Sequence, residues 1–195
     1  MRAITTPEDW RRRAGSAAPV VEEGDLRSAA AGLAALDAGD EETARSAARV
    51  CRSVVASQPD DVPGVVAAPG LVVRAHAGPQ PFSVLGTAVG FLARAFELWG
   101  DDADLDAAVE LHDLTVALGD DVWDGPEAWR VGWGAALLYG VTGDEAFLAT
   151  AERVADLLCE TQRPDGTWGL PEATVEAALV LREMADAVEG RAGVE

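Results

Sequence analysis

The sequence predicts an all-α protein made of repeated helical hairpins, a partial or miniature α/α-toroid of about three and a half hairpins. Three observations predict it. Gly-Asp pairs recur ahead of segments with helical period, at Gly39-Asp40, Gly100-Asp101 and Gly143-Asp144. Segments apolar nearly all round alternate with segments that have one wet face. The proline- and glycine-rich interruption is confined to residues 59–81.

Residues 1–25 read as an N-terminal segment and 26–195 as one hairpin domain. Leu26 to Asp37 is the first inner helix. Gly39 then supplies a left-handed residue that ends it, and Asp40 caps the next helix, which runs to Gln58. The third copy repeats this plan from Gly143-Asp144-Glu145 to Gln162, with the same spacing from Asp to Gln, and Asp61 and Asp165 follow at equal offsets. In that copy Phe147, Leu148, Ala151, Val154, Ala155 and Leu158 recur at helical spacing, with Glu152, Arg153 and Asp156 between them.

The preceding segment, Glu127 to Tyr139, is different. Trp129, Val131, Trp133, Leu137 and Leu138 mix with small residues nearly all round, so burial on both sides is expected. Val84 to Trp99 and Asp104 to Leu118 repeat the contrast of inner and outer. Pro171 to Glu189 is a last inner-type helix, carrying Val175, Leu179 and Val180, with no following partner. Within 59–81, Val65-Val66 and Leu71-Val72-Val73 flank Pro69-Gly70 and suggest a short β-hairpin, serving as a lid or as a plain surface connection.

Composition narrows function by exclusion. The net charge of −19 argues against nucleic acid, since Arg11 to Arg13 is the sole basic cluster. The absence of lysine removes Schiff-base chemistry and a P-loop lysine. Cys51 and Cys159 are both expected as core thiols, without a disulfide framework or cysteine metal site. No stretch reads as apolar for long enough to cross a bilayer, and the N-terminus lacks the order of a signal peptide, so a cytoplasmic protein with no membrane partner is expected.

The stretch Leu158 to Trp168, Leu-x3-Gln-x3-Gly-x-Trp, resembles the QW motif of the terpenoid cyclase and protein prenyltransferase superfamily. Trp133 to Glu160 also resembles the hairpins of six-hairpin sugar-active enzymes and epimerases. The first resemblance implies that Gln162 and Trp168 brace neighbouring hairpins and are not catalytic. Rings of these families have about twice as many hairpins, which implies an open arc, a miniature ring or half of a barrel closed in a homodimer.

An Asp-x-Asp-Asp acid is missing, because Asp101-Asp102-Ala103-Asp104 has another order, so squalene-type cyclisation is not expected. Asp120-Asp121-Val122-Trp123-Asp124 matches the Asp-Asp-x-x-Asp pattern that holds Mg²⁺ and diphosphate in class I terpene synthases, and Asp102, Asp106 and Glu110 add a second acidic row. The repeat, however, puts DDVWD at a hairpin turn where Asp caps and Trp packs. No metal and no cofactor are therefore expected.

Inner-helix N-termini should gather at one end and form a ligand mouth. Its catalytic candidates are Glu127, Glu172 and Glu176, as proton donors or acceptors, with Asp124 nearby and His76 in the insertion. Trp129, Arg130, Trp133, Phe82, Ser83 and Thr174 are the ligand-binding candidates. His112 reads as a packed histidine. The resemblance implies an apolar small-molecule substrate and acid/base cyclisation or isomerisation in secondary metabolism. A sugar-active hydrolase or epimerase, and a non-catalytic binding or assembly module, are the alternatives.

Overall fold

The computed structural model describes residues 25–57, 65–68, 71–73, 82–123 and 128–192. Its described part is all-α apart from two short strands. Seven α-helices occur among the described residues: α1 (Ser28–Ala38), α2 (Glu41–Ala56), α3 (Phe82–Trp99), α4 (Asp102–Ala117), α5 (Ala128–Thr142), α6 (Glu145–Thr161) and α7 (Pro171–Ala192). The strands β1 (Val65–Ala68) and β2 (Leu71–Val73) pair antiparallel, Val65 opposite Val73.

The Gly-Asp turns do what their chemistry requires. Gly39, Gly100 and Gly143 all have positive φ, at 73°, 65° and 73°, a conformation that costs a side chain but not glycine. The following Asp40, Asp101 and Asp144 accept from the backbone N–H of Thr43, Ala103 and Ala146, satisfying donors that the helix start leaves open. Hydrogen bonds from the Thr43 hydroxyl and N–H hold the Asp40 carboxyl below its ordinary range.

Each turn reverses the chain, and α1 packs on α2, α3 on α4 and α5 on α6. The first members also pack in succession, α1 on α3, α3 on α5 and α5 on α7. α3 and α5 approach closely because glycines face each other's backbone: a Cβ at Gly86 would fall on the Arg130 carbonyl, and one at Gly134 would press on the Gly86 carbonyl. Burial on both sides of α5 follows, from Ala128 and Trp129 through Val131 to Ala136.

The apolar character of α3 needs a correction to the sequence reading. By length and composition this helix of 18 residues could cross a membrane. Its burial against α1, α4 and α5 gives that apolarity a packing cause, with Leu85, Phe91 and Leu92 fully covered.

The core lies in two clusters. One joins α1 to α4 through Leu26, Cys51, Val54, Phe91 and Leu111; the other joins α5, α6 and α7 through Trp129, Trp133, Val154, Leu158, Val180 and Met184. α5 feeds both, since its Val131 and Leu138 belong to the first.

The two thiols part company. Cys51 is buried as expected, and desolvation, helped by the nearby charges of Asp104 and Asp25, pushes its pKa up to about 12. Cys159 is exposed, against expectation. It falls seven positions after Glu152 on the wet side of α6, so its apolar neighbours Leu157 and Leu158 misled the reading.

Candidate functional site

A groove of about 620 Å³ runs along α7 where that helix lies against α5. Its floor is Val175, Leu179 and Val180, and its rim is Glu172, Glu176 and Glu183 facing Arg130. Helical spacing explains the lining, because 172, 176, 179 and 183 share one face of α7.

Arg130 is held in this rim. Its Nη2 lies 3.1 Å and its Nε 3.2 Å from Oε1 of Glu176. The guanidinium also sits 5.5 Å from the ring centre of Trp133, and Arg94 of α3 sits 5.6 Å from the same ring. Trp133 Nε1 donates to Oε2 of Glu183 at 2.5 Å, and Arg94 Nη2 lies 3.5 Å from that oxygen. Three helices thus meet in a network of two arginines, one indole and two glutamates.

Of the sequence candidates, Glu172, Glu176 and Arg130 come together here. Trp129 and Trp133 do not wall the groove: they are 8 % and 2 % exposed and belong to the core. Thr174 is committed to the turn before α7, accepting from the Trp168 N–H at 3.0 Å and donating to the Leu170 carbonyl at 3.1 Å. Phe82 is buried, and Ser83 lines a smaller cleft, about 130 Å³, that Arg130 also borders. Glu127, Asp124 and His76 lie outside the described residues.

The sequence reading missed Arg94 and Glu183. A signal existed for both. Arg94 is the sole cation of a mostly apolar helix whose one acid is Glu97, and Glu183 continues the face begun by Glu172 and Glu176.

The turn Gln162 to Trp168 braces α6 against α7. The Trp168 indole donates to the Leu158 carbonyl at 2.7 Å, and Gln162 Nε2 donates to the Gly166 carbonyl at 3.1 Å. Asp165 accepts from the hydroxyl and N–H of Thr167, which hold its carboxyl below the ordinary range.

The other acid-rich turn begins with a short 3-10 helix, Asp120–Trp123, where Val122 is buried and Trp123 lies under the Arg153 guanidinium at 4.3 Å. The side chains of Asp120, Asp121 and Asp124 are outside the description. Asp102, Asp106 and Glu110 are exposed on α4, and no set of three metal-ligating side chains gathers among the described residues.

Two buried polar groups sit on α4, one facing α6 and the other facing α2. His112 of α4 is 4 % exposed, its ring edge-on to Phe147, with Nε2 3.2 Å from the Thr150 hydroxyl of α6 and Nδ1 3.2 Å from Asp113. Desolvation lowers its pKa, opposed by Asp113. Asp104 is 2 % exposed, and its Oδ1 lies 3.1 Å from Arg52 Nη1 of α2. Burial raises that carboxyl, while Arg52 pulls the other way.

Comparison with protein-family models, with curated proteins and with solved structures found no match for this chain.

Proposed function

We propose that this chain is a binding module that docks a partner along the open side of α7. The observation that carries the reading is the exposure of Leu170, Val175 and Leu179, at 72 %, 60 % and 53 %, beside a groove with a charged rim. Exposed large apolar side chains gathered on one helix face, bordered by charge, mark interaction surfaces. The reading takes the succession α1, α3, α5, α7 as an open arc whose last member offers a face to another molecule.

A photo-crosslinking residue placed at position 179 should give a discrete protein adduct in cells, while the same residue at position 106 on α4 should not. Adducts at neither position would turn the assignment down.

The groove's size favours a second reading, because small-ligand sites commonly occupy about 300–1,000 Å³. An apolar substrate lying on Val175 and Leu179 would put Glu172 or Glu176 in reach as proton donor or acceptor, the terpenoid-cyclase-like chemistry implied by the resemblance. Turnover by the wild type that survives both Glu172→Gln and Glu176→Gln would reject those carboxylates as its acid or base.

A further inference from the structure

Resting on the docking reading, we infer that the occupant of the α5–α7 groove is a cationic amphipathic helix supplied by another protein. The repeat gives the shape of the occupant. α2, α4 and α6 cover α1, α3 and α5, whereas α7 packs on α5 and only lightly on α6, and no helix of the described chain lies over Val175 and Leu179. A helix laid along that row would stand to α7 as the outer helices stand to theirs.

Charge gives its chemistry. The apolar floor is bounded by Glu172, Glu176 and Glu183; Arg130 is tied to Glu176 and Arg94 to Glu183, so the rim keeps a net negative charge at Glu172. An apolar stripe flanked by arginine or lysine complements this surface, since an amphipathic helix in a groove is read by its i, i+3, i+4 and i+7 anchors. The net charge of −19 also opposes a second copy of the same acidic chain at this face and favours a basic visitor.

The test uses the full chain and a synthetic peptide of about five helical turns, with leucines on one stripe and lysines beside them. Its control keeps the leucines and replaces the lysines by glutamate. By fluorescence anisotropy the lysine peptide should bind, and Val175→Ser with Leu179→Ser should weaken it about tenfold or more, as loss of central apolar anchors does. Asp106→Asn, on the exposed face of α4, should leave affinity unchanged. Circular dichroism of the variants checks that their helices persist.

Equal affinity for wild type and the Val175/Leu179 variant would overturn the site, because binding would then be general attraction to an acidic protein. Equal binding of the glutamate peptide would overturn the cationic class, while the crosslink at position 179 could still uphold the docking reading. A dimer in light scattering that Leu179→Asp dissolves would name a second copy as the occupant. Tighter binding of a peptide of residues 1–24, with its Arg11 to Arg13 cluster, would name the chain's own segment. Either result overturns the inference.

Discussion

At the scale of single residues, His112 and Cys51 make the sharpest predictions. His112 is neutral and buried, with its pKa below the ordinary 6.5, so the unfolded chain takes up a proton at higher pH than the folded one. Its contribution to stability is therefore complete above about pH 6.5 and declines as the pH falls below that value toward the lowered pKa. Urea titrations from pH 7.5 to 5 should show this loss, and His112→Phe should flatten it. Asp104 has the opposite sign: its raised carboxyl favours the folded state most below the ordinary 3.8 and loses that advantage as the pH rises through the folded value. The cysteines separate by reactivity, since only a thiolate attacks. A thiol reagent should label Cys159 in the native protein and Cys51 only after denaturation; rapid labelling of Cys51 at neutral pH would contradict its burial.

At the scale of elements, the close approach of α3 and α5 and the Gly-Asp turns are the vulnerable points. Gly86→Ala would drive a methyl group into the Arg130 backbone, where no flexible side chain can give way, and should cost about 1–3 kcal/mol or more. Asp144→Ala removes the acceptor for the Ala146 N–H and should cost about 1 kcal/mol. Thermal and chemical melts would read both.

These same elements show how much the sequence disclosed. The turns and the wet face of α6 were legible because capping and helical period are local signals. The roles of Trp129 and Trp133 were not, since an aromatic pair on one helix can equally line a cavity or fill a core, and only α7 packing beside them decides. Val175 and Leu179 show the converse limit: an apolar pattern says a face is greasy, not that anything within the chain covers it. Of the predicted mouth, Glu172, Glu176 and Arg130 were found from their place near helix starts. Glu183 shares the helix face of Glu172 and Glu176, but its pairing was hidden because its partners, Arg94 and Trp133, lie about 90 and 50 positions away in the chain.

At the scale of the whole molecule, the copies of the repeat agree in outline while their junctions differ. Cys51, His112 and Ala155 each stand eleven positions after a capping aspartate (51 − 40, 112 − 101 and 155 − 144). Residues three after the later caps oppose them: Asp104 interacts electrostatically with Cys51, and Phe147 meets His112 ring to ring. One junction is therefore ionic, through Arg52 with Asp101 and Asp104, and the next is aromatic. Raising ionic strength should weaken the first, which is partly solvated, more than the second. Arg52→Gln should lose stability most at low salt, whereas Phe147→Leu should be nearly insensitive to it, as denaturant midpoints at two salt concentrations would reveal.

The division of the interior into two clusters that share α5 has a dynamic consequence. α7, whose buried apolar residues lie in the second cluster alone, can open while α1 to α6 keep the first, a partial melting that costs less than global unfolding. Deuterium uptake would expose that hierarchy, with amides in α7 exchanging ahead of those in α3. A visitor clamped along α7 would slow the early phase alone, so the footprint of recognition would be written in the rates of a region far larger than the surface touched.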